Sequence, residues 1–198
     1  SSSSSSSSAK PSLSRTTSGS RSKRMTPRTK GSGRRPADKV VKVEREDGTV
    51  HAFSEEEKAG IVGHINSMMT SAAAAAGDGT PIEFTEIDPD TLDIFSAVSS
   101  GVLLCQLVNI LVPDTIPAKR VNIKKVLNKF QQNENLEVAL TGLRKVGVKT
   151  VNIGAEDLRA GTAYHLILGV LWQIVRLDMV NAVLAAKDNL KFLDQAGV

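Results

Sequence analysis

Four blocks of apolar residues recur at helical spacing in this chain, and two of them are apolar on nearly every side. An amphipathic helix rests one stripe on a core, whereas a helix apolar all round must lie inside one. The pattern predicts a helical bundle with two central members. The first block opens with a capping-box pattern, in which Ser54 is followed by Glu57, and runs through Ile61, Val62, Ile65, Met68 and Met69. Glu55, Glu56 and Glu57 suit the positive end of a helix dipole. An alanine run at 72–76 extends the block, and Gly77-Asp78-Gly79-Thr80-Pro81 stops it. With Asp90 as N-cap, a second helix is expected from about Thr91 to Leu111, with Leu92, Phe95, Val98, Val102, Leu103, Leu107, Val108 and Leu111 inward. Gly101 within it suggests a close approach of another helix. A third helix is expected over about 133–146 with Gly147 as its stop, then a short turn of helix at 155–159. A fourth is expected over about 162–177, with Trp172 at the centre of a buried run. The class is all-α, four main helices plus short connecting helices.

The rest of the chain divides into regions by composition. Residues 1–39 open with eight serines and continue in Ser, Thr, Gly, Lys, Arg and Pro, with Leu13 and Met25 as their large apolar residues. Ordering a backbone costs about 1–2 kcal/mol per residue, and this segment has no core to offset that. It reads as a disordered basic tail. Residues 1–40 hold ten Lys/Arg against one acid, Asp38, while the remainder holds fifteen against twenty. The overall charge of +4 thus combines a basic arm with a mildly acidic body. Residues 40–53 read as an extended lead-in with Asp47-Gly48 as a turn, packing on the domain at 54–178. Residues 179–198 are weakly amphipathic and read as a linker or the start of a following segment. One cysteine, Cys105, supports neither a disulfide framework nor a thiolate metal site, which fits a reducing, intracellular setting. Gln106, Asn109, Gln173 and Arg176 interrupt the longest apolar stretches, so no transmembrane segment is expected.

Sites for chemistry are hard to assemble from these residues. No phosphate-cradling glycine loop, zinc-protease helix or nucleophile elbow is present. Asp88-Pro89-Asp90-Thr91-Leu92-Asp93 begins like a calcium loop but lacks the glycine at position six and has Ser99 at position twelve. His51, His64 and His165 share no ligand spacing. Cys105 sits among Leu103, Leu104 and Leu107, which disfavour a thiolate, so it reads as a core residue. The expectation is no enzyme, no catalytic residue, no metal and no cofactor. One charged feature does stand out. Lys119, Arg120, Lys124, Lys125 and Lys129 form a basic patch without an acid among them, and Arg144, Lys145 and Lys149 make a second group.

Three motifs in order resemble the first calponin-homology domain of fimbrins (plastins). Ser54-Glu55-Glu56-Glu57-Lys58 through His64-Ile65-Asn66 is similar to that family's first helix. Gly101-Val102-Leu103-Leu104-Cys105-Gln106-Leu107-Val108-Asn109, with Val112-Pro113-Asp114-Thr115-Ile116, resembles its central helix and exit. Val151–Leu158 followed by His165–Val175 resembles its C-terminal signature. The resemblance covers about residues 49–178. It implies a calponin-homology fold and F-actin binding, within a protein that crosslinks and bundles filaments in the cytoplasmic actin cytoskeleton. It further implies filament contacts from the segment before the first helix, from that helix, and from the end of the domain. Carried onto polar positions expected to face outward, these are Lys58, His64, Asn66, Asp157, Arg159 and His165. The domain is expected to be monomeric, with no DNA partner. The alternative is a single calponin-homology module whose basic tail binds microtubules, or a scaffold.

Overall fold

A computed structural model describes residues 40–44, 50–76 and 84–196. The basic tail, the Asp47-Gly48 turn and the Gly77–Pro81 stop lie outside the described residues. The lead-in is an antiparallel hairpin of β1 (Val40–Glu44) and β2 (Val50–Ser54), in register from Val40 opposite Ser54 to Glu44 opposite Val50. A lone two-stranded hairpin is marginal in water. Here Phe53 anchors it: the ring is buried and meets Phe95 at 5.9 Å and Tyr164 at 6.1 Å between centroids. Phe95 and Tyr164 meet edge-on at 4.5 Å, a favoured geometry for aromatic pairs.

Helix α1 (Glu55–Ala76) begins where the Ser54 hydroxyl accepts the Glu57 N–H at 3.4 Å, and it buries Ile61, Val62, Ile65, Met68 and Met69 as its spacing predicts. The expected second helix is two helices. α2 (Asp93–Ser99) and α3 (Val102–Leu111) meet at 87°. Ser99 and Ser100 turn their hydroxyls back to the carbonyls of Ser96 and Ala97, and Gly101 takes the left-handed conformation at φ 75°. Both limbs of this elbow face one core, so the apolar period runs through the break without a sign of it. The start also differs. Asp90 is no cap. Instead, Asp88 Oδ1 accepts the Asp90 N–H at 2.9 Å, and Thr91 Oγ1 accepts the Asp93 N–H at 3.2 Å. Helix formation is thereby delayed, and Leu92, expected inward, is exposed.

After α3, Asn109 clamps the chain to Ile116 by two hydrogen bonds, 2.9 Å to its carbonyl and 2.8 Å from its N–H. A short 3-10 turn at Ala118–Arg120 and a loop lead to α4 (Lys129–Lys145). α4 starts four residues before its expected position because Asn128 and Gln131 form a reciprocal capping box. Gly147, at φ 92°, ends it as expected. α5 (Ala155–Ala160) is followed by Gly161 at φ 65° and by α6 (Tyr164–Ala196).

α6 buries Ile167, Leu168, Val170, Leu171, Ile174 and Val175. It does not stop near 177 but runs 33 residues, because nothing from Val170 to Gln195 is Gly or Pro. From Ala182 to Asp188 every side chain is exposed, which is why the apolar period fades there. Trp172, expected at the centre, is 47% exposed. It falls in register with His165, Gly169 and Arg176, the outer face of the helix. Among the described residues, Tyr164–Asp188 is the one continuous helix long and apolar enough to cross a membrane. Its apolar inner face is the one that closes this core.

Candidate functional site

The candidate side chains fall into three places. At one end of the bundle, β2, α2, α5 and the start of α6 converge around the Phe53–Phe95–Tyr164 cluster. Asp157 and His165 are exposed there and Arg159 is half-exposed. Asp157 also holds its own helix, its carboxylate accepting the Gly154 N–H at 2.9 Å. Arg159 is engaged by an ion pair with Glu156 on the same face. The Arg159 guanidinium, helped by the Asn133 amide, holds the Glu156 carboxyl below the usual carboxylate range. This end brings the segment before α1 beside the α5–α6 corner, two of the three strips expected to act together.

The first-helix candidates are placed differently. Lys58 and Asn66 were expected to face outward and do not. Lys58 is 2% exposed and its ammonium donates to the Thr91 carbonyl at 2.7 Å, tying α1 to the entrance of α2. Asn66 is buried with its amide paired both ways to the Ile87 main chain, at 2.8 and 3.1 Å. Both satisfy backbone groups of the chain that leads into α2, at Thr91 and Ile87. His64 is half-buried and bonded to Asp178 at 2.9 Å, a clasp between α1 and α6.

The basic patch occupies the third place. Lys119, Arg120, Lys124, Lys125 and Lys129 are all exposed on the segment that ends at the first turn of α4. Ile123, Val126 and Phe130 stand among them and are also exposed, a feature that the charge pattern alone does not reveal. The segment is held at its root by Asn135, which is fully buried. The Asn135 side chain accepts the Asn122 N–H at 2.7 Å and donates to the carbonyls of Asn122 and Ser100, both at 3.1 Å. A polar residue beside Leu136 on a core-facing turn was the available sign of this hub.

Cys105 is a core residue. It is 2% exposed, its Sγ lies 3.5 Å from the Asn135 carbonyl, and burial pushes its thiol up to about 12. At pH 8 the native protein is therefore expected to react with a thiol-exchange reagent roughly a thousandfold more slowly than the denatured chain. Comparable rates for the two would show that the site opens. Because the folded pKa is raised, the stability tied to the neutral thiol is intact below about pH 9 and declines as pH rises toward 12. Among the described residues no three His, Cys, Asp or Glu side chains are placed to hold a metal ion.

The helices from α2 to the first half of α6, packed around the central α3, carry the likeness to a known class. The chain belongs to the calponin homology (CH) domain family, whose model matches residues 81–179. Within that class it is similar to plastins and fimbrins. Plastin-3 of Homo sapiens is 44% identical over 133 residues, 67% of this chain and 20% of that protein. Plastin-2 of Danio rerio is 39% identical over 140 residues, 71% and 21% respectively. Fimbrin-3 of Arabidopsis thaliana is 38% identical over 133 residues, 67% and 18%. The crystal structure of the actin-crosslinking core of Schizosaccharomyces pombe fimbrin superposes with a TM-score of 0.54 at 35% identity, covering 63% of this chain and 26% of that one. The chain spans about a fifth of the length of the curated relatives it matches.

Proposed function

We propose that this chain binds actin filaments as a non-enzymatic calponin homology module of a filament-crosslinking protein, in the cytoplasm. The observation that carries the reading is the likeness, in both sequence and fold, to the actin-crosslinking core of a fimbrin. The contacts are proposed at the α5–α6 corner, through Asp157, Arg159 and His165, with the adjoining lead-in strand. His64 lies on the α1–α6 seam and contributes at the margin. Lys58 and Asn66 act from inside, by fixing the α1–α2 connection, and not as contacts. The module works as a monomer in this reading, and the filament supplies the repeating partner.

Co-sedimentation with actin filaments, and in parallel with microtubules, tests this at low and near-physiological salt. Persistent pelleting with actin at the higher salt is expected of a specific packed face, whereas attraction between exposed charges alone fades as they are screened beyond about 10 Å at 0.1 M. Replacing Asp157 and His165 together by Ala is expected to weaken actin binding by about tenfold, the size of a modest hot spot. Pelleting with both polymers at low salt only, and with neither at high salt, would mean charge attraction without a specific face.

A further inference from the structure

We propose that the segment from Lys119 to Phe130 is a docking site for anionic lipid bilayers. Three large apolar side chains stand out from this short segment: Ile123 is 73% exposed, Val126 82% and Phe130 86%. Four exposed lysines share the segment with them, Arg120 lines the adjoining groove, and residues 115–133 contain no acid. The nearest acids are otherwise occupied or set back. Glu134 accepts a hydrogen bond from the Asn122 amide at 2.9 Å, and Glu156 pairs with Arg159, although Lys129 also draws on its charge. Among the described residues the two ion pairs are His64–Asp178 and Arg159–Glu156, so none of the five cations is neutralised in one.

The shape of the segment favours a bilayer over a protein partner. A protein partner with apolar anchors is usually met by a groove or a flat face of roughly 800 Å². Here the apolar groups project from a loop and from the first turn of α4. The neighbouring groove, lined by Ile116, Arg120, Glu134, Glu137, Val138 and Lys145, includes two acids and points to different chemistry. A fluid interface closes around projecting side chains without a matching cavity, and lysine stems reach from apolar depth to headgroups. Charge complementarity selects the anionic leaflet, where each added cation strengthens binding by about fivefold. The segment is also fixed in place. Asn135 pins Asn122 at one end, the Asn128–Gln131 capping box sets the other, and Leu127 between them is half-buried. Little ordering is therefore left to be lost on docking.

The test uses the full chain with vesicles of phosphatidylcholine alone and of phosphatidylcholine with phosphatidylserine. The N-terminal tail is basic and contributes to every variant equally, so the comparison isolates the loop. Ile123→Ser/Val126→Ser/Phe130→Ser is expected to weaken binding to the anionic vesicles by about tenfold or more. Its thermal unfolding should be unchanged, since the three positions are exposed. A second variant, Phe130→Trp in a Trp172→Phe background, reads insertion directly. Its fluorescence should shift to the blue and be quenched by brominated acyl chains with anionic vesicles, and not with phosphatidylcholine alone. Equal binding of the triple-serine variant and the parent, or an unshifted tryptophan at 130 on bound protein, overturns the proposal and leaves the tail as the lipid contact. If the triple-serine variant loses actin pelleting while the parent ignores anionic vesicles, the patch serves the filament and the lipid reading fails.

Discussion

Gly101→Ala is expected to destabilise the domain by about 2–5 kcal/mol, measured as a lowered urea midpoint at unchanged slope. Two costs add at this position. The residue sits at φ 75°, a left-handed conformation that costs a residue with a Cβ about 1–2 kcal/mol. A Cβ built there would lie 2.7 Å from the Asn135 Cβ and 2.8 Å from the Leu136 backbone N, inside any normal contact. Relieving that overlap means moving α4 away from the elbow, and overpacking of this kind costs about 1–3 kcal/mol more. Gly101→Asn separates the two terms. Asparagine tolerates the left-handed region but still carries the Cβ. If Asn is nearly as damaging as Ala, close approach dominates; if Asn is mild, backbone strain does. A loss below about 1 kcal/mol for Ala would show that the elbow can straighten, contrary to its packing.

The same glycine marks the limit of what the sequence discloses. Its presence in an apolar period signals close packing, and that is what α4 provides. The period cannot signal that the chain turns through a near right angle there, because the two limbs bury Phe95 and Leu104 into one core and both keep helical spacing. Signals of the same kind explain the other departures. Trp172 lies in the most apolar run of the chain, and size and neighbours suggest burial. Helical phase decides otherwise, placing it beside Gly169 and Arg176. Residues beyond Leu177 lose their amphipathic stripe because they leave the core, not because the helix ends.

Legibility of the candidate site follows the same division. The class of fold and the α5–α6 corner are readable, since they rest on local motifs such as Asp157 closing its helix onto Gly154. The orientation of Lys58 and Asn66 is not. A polar residue on a helix reads as outward unless the reader knows that an irregular connection will cross it and need hydrogen-bond partners. That need arises from Ile87 and Thr91, more than twenty residues away. The apolar members of the basic patch are hidden for the opposite reason. Ile123, Val126 and Phe130 look like core candidates in composition, and only the tertiary structure leaves them outside.

Asn135→Ala is expected to cost about 2–4 kcal/mol and to loosen the whole segment from Asn122 to Leu127 without touching a surface side chain. The side chain is fully buried and serves three main-chain groups: the Asn122 N–H, the Asn122 carbonyl and the Ser100 carbonyl. Alanine leaves those groups facing a void, and each partner stranded away from water costs about 1–3 kcal/mol, less where solvent can enter. Asn135→Asp keeps the acceptor for the Asn122 N–H but turns the donor into a carboxylate facing two carbonyls. It is expected to be at least as damaging as Ala, although it is nearly isosteric. A purely volumetric role for residue 135 predicts the reverse order. Hydrogen exchange gives the local reading. In Asn135→Ala the amides of the loop should exchange much faster, while those of α1 and the inner half of α6 keep pace with global stability. Because Asn135 also abuts Gly101, the two substitutions should combine non-additively. Once alanine at 101 has pushed α4 away, the bond from Asn135 to Ser100 is already weakened, so removing it costs less. Fully additive losses would separate the elbow from the loop. A shared loss would make Asn135 the residue through which the packing of the central helix holds the exposed basic segment in place.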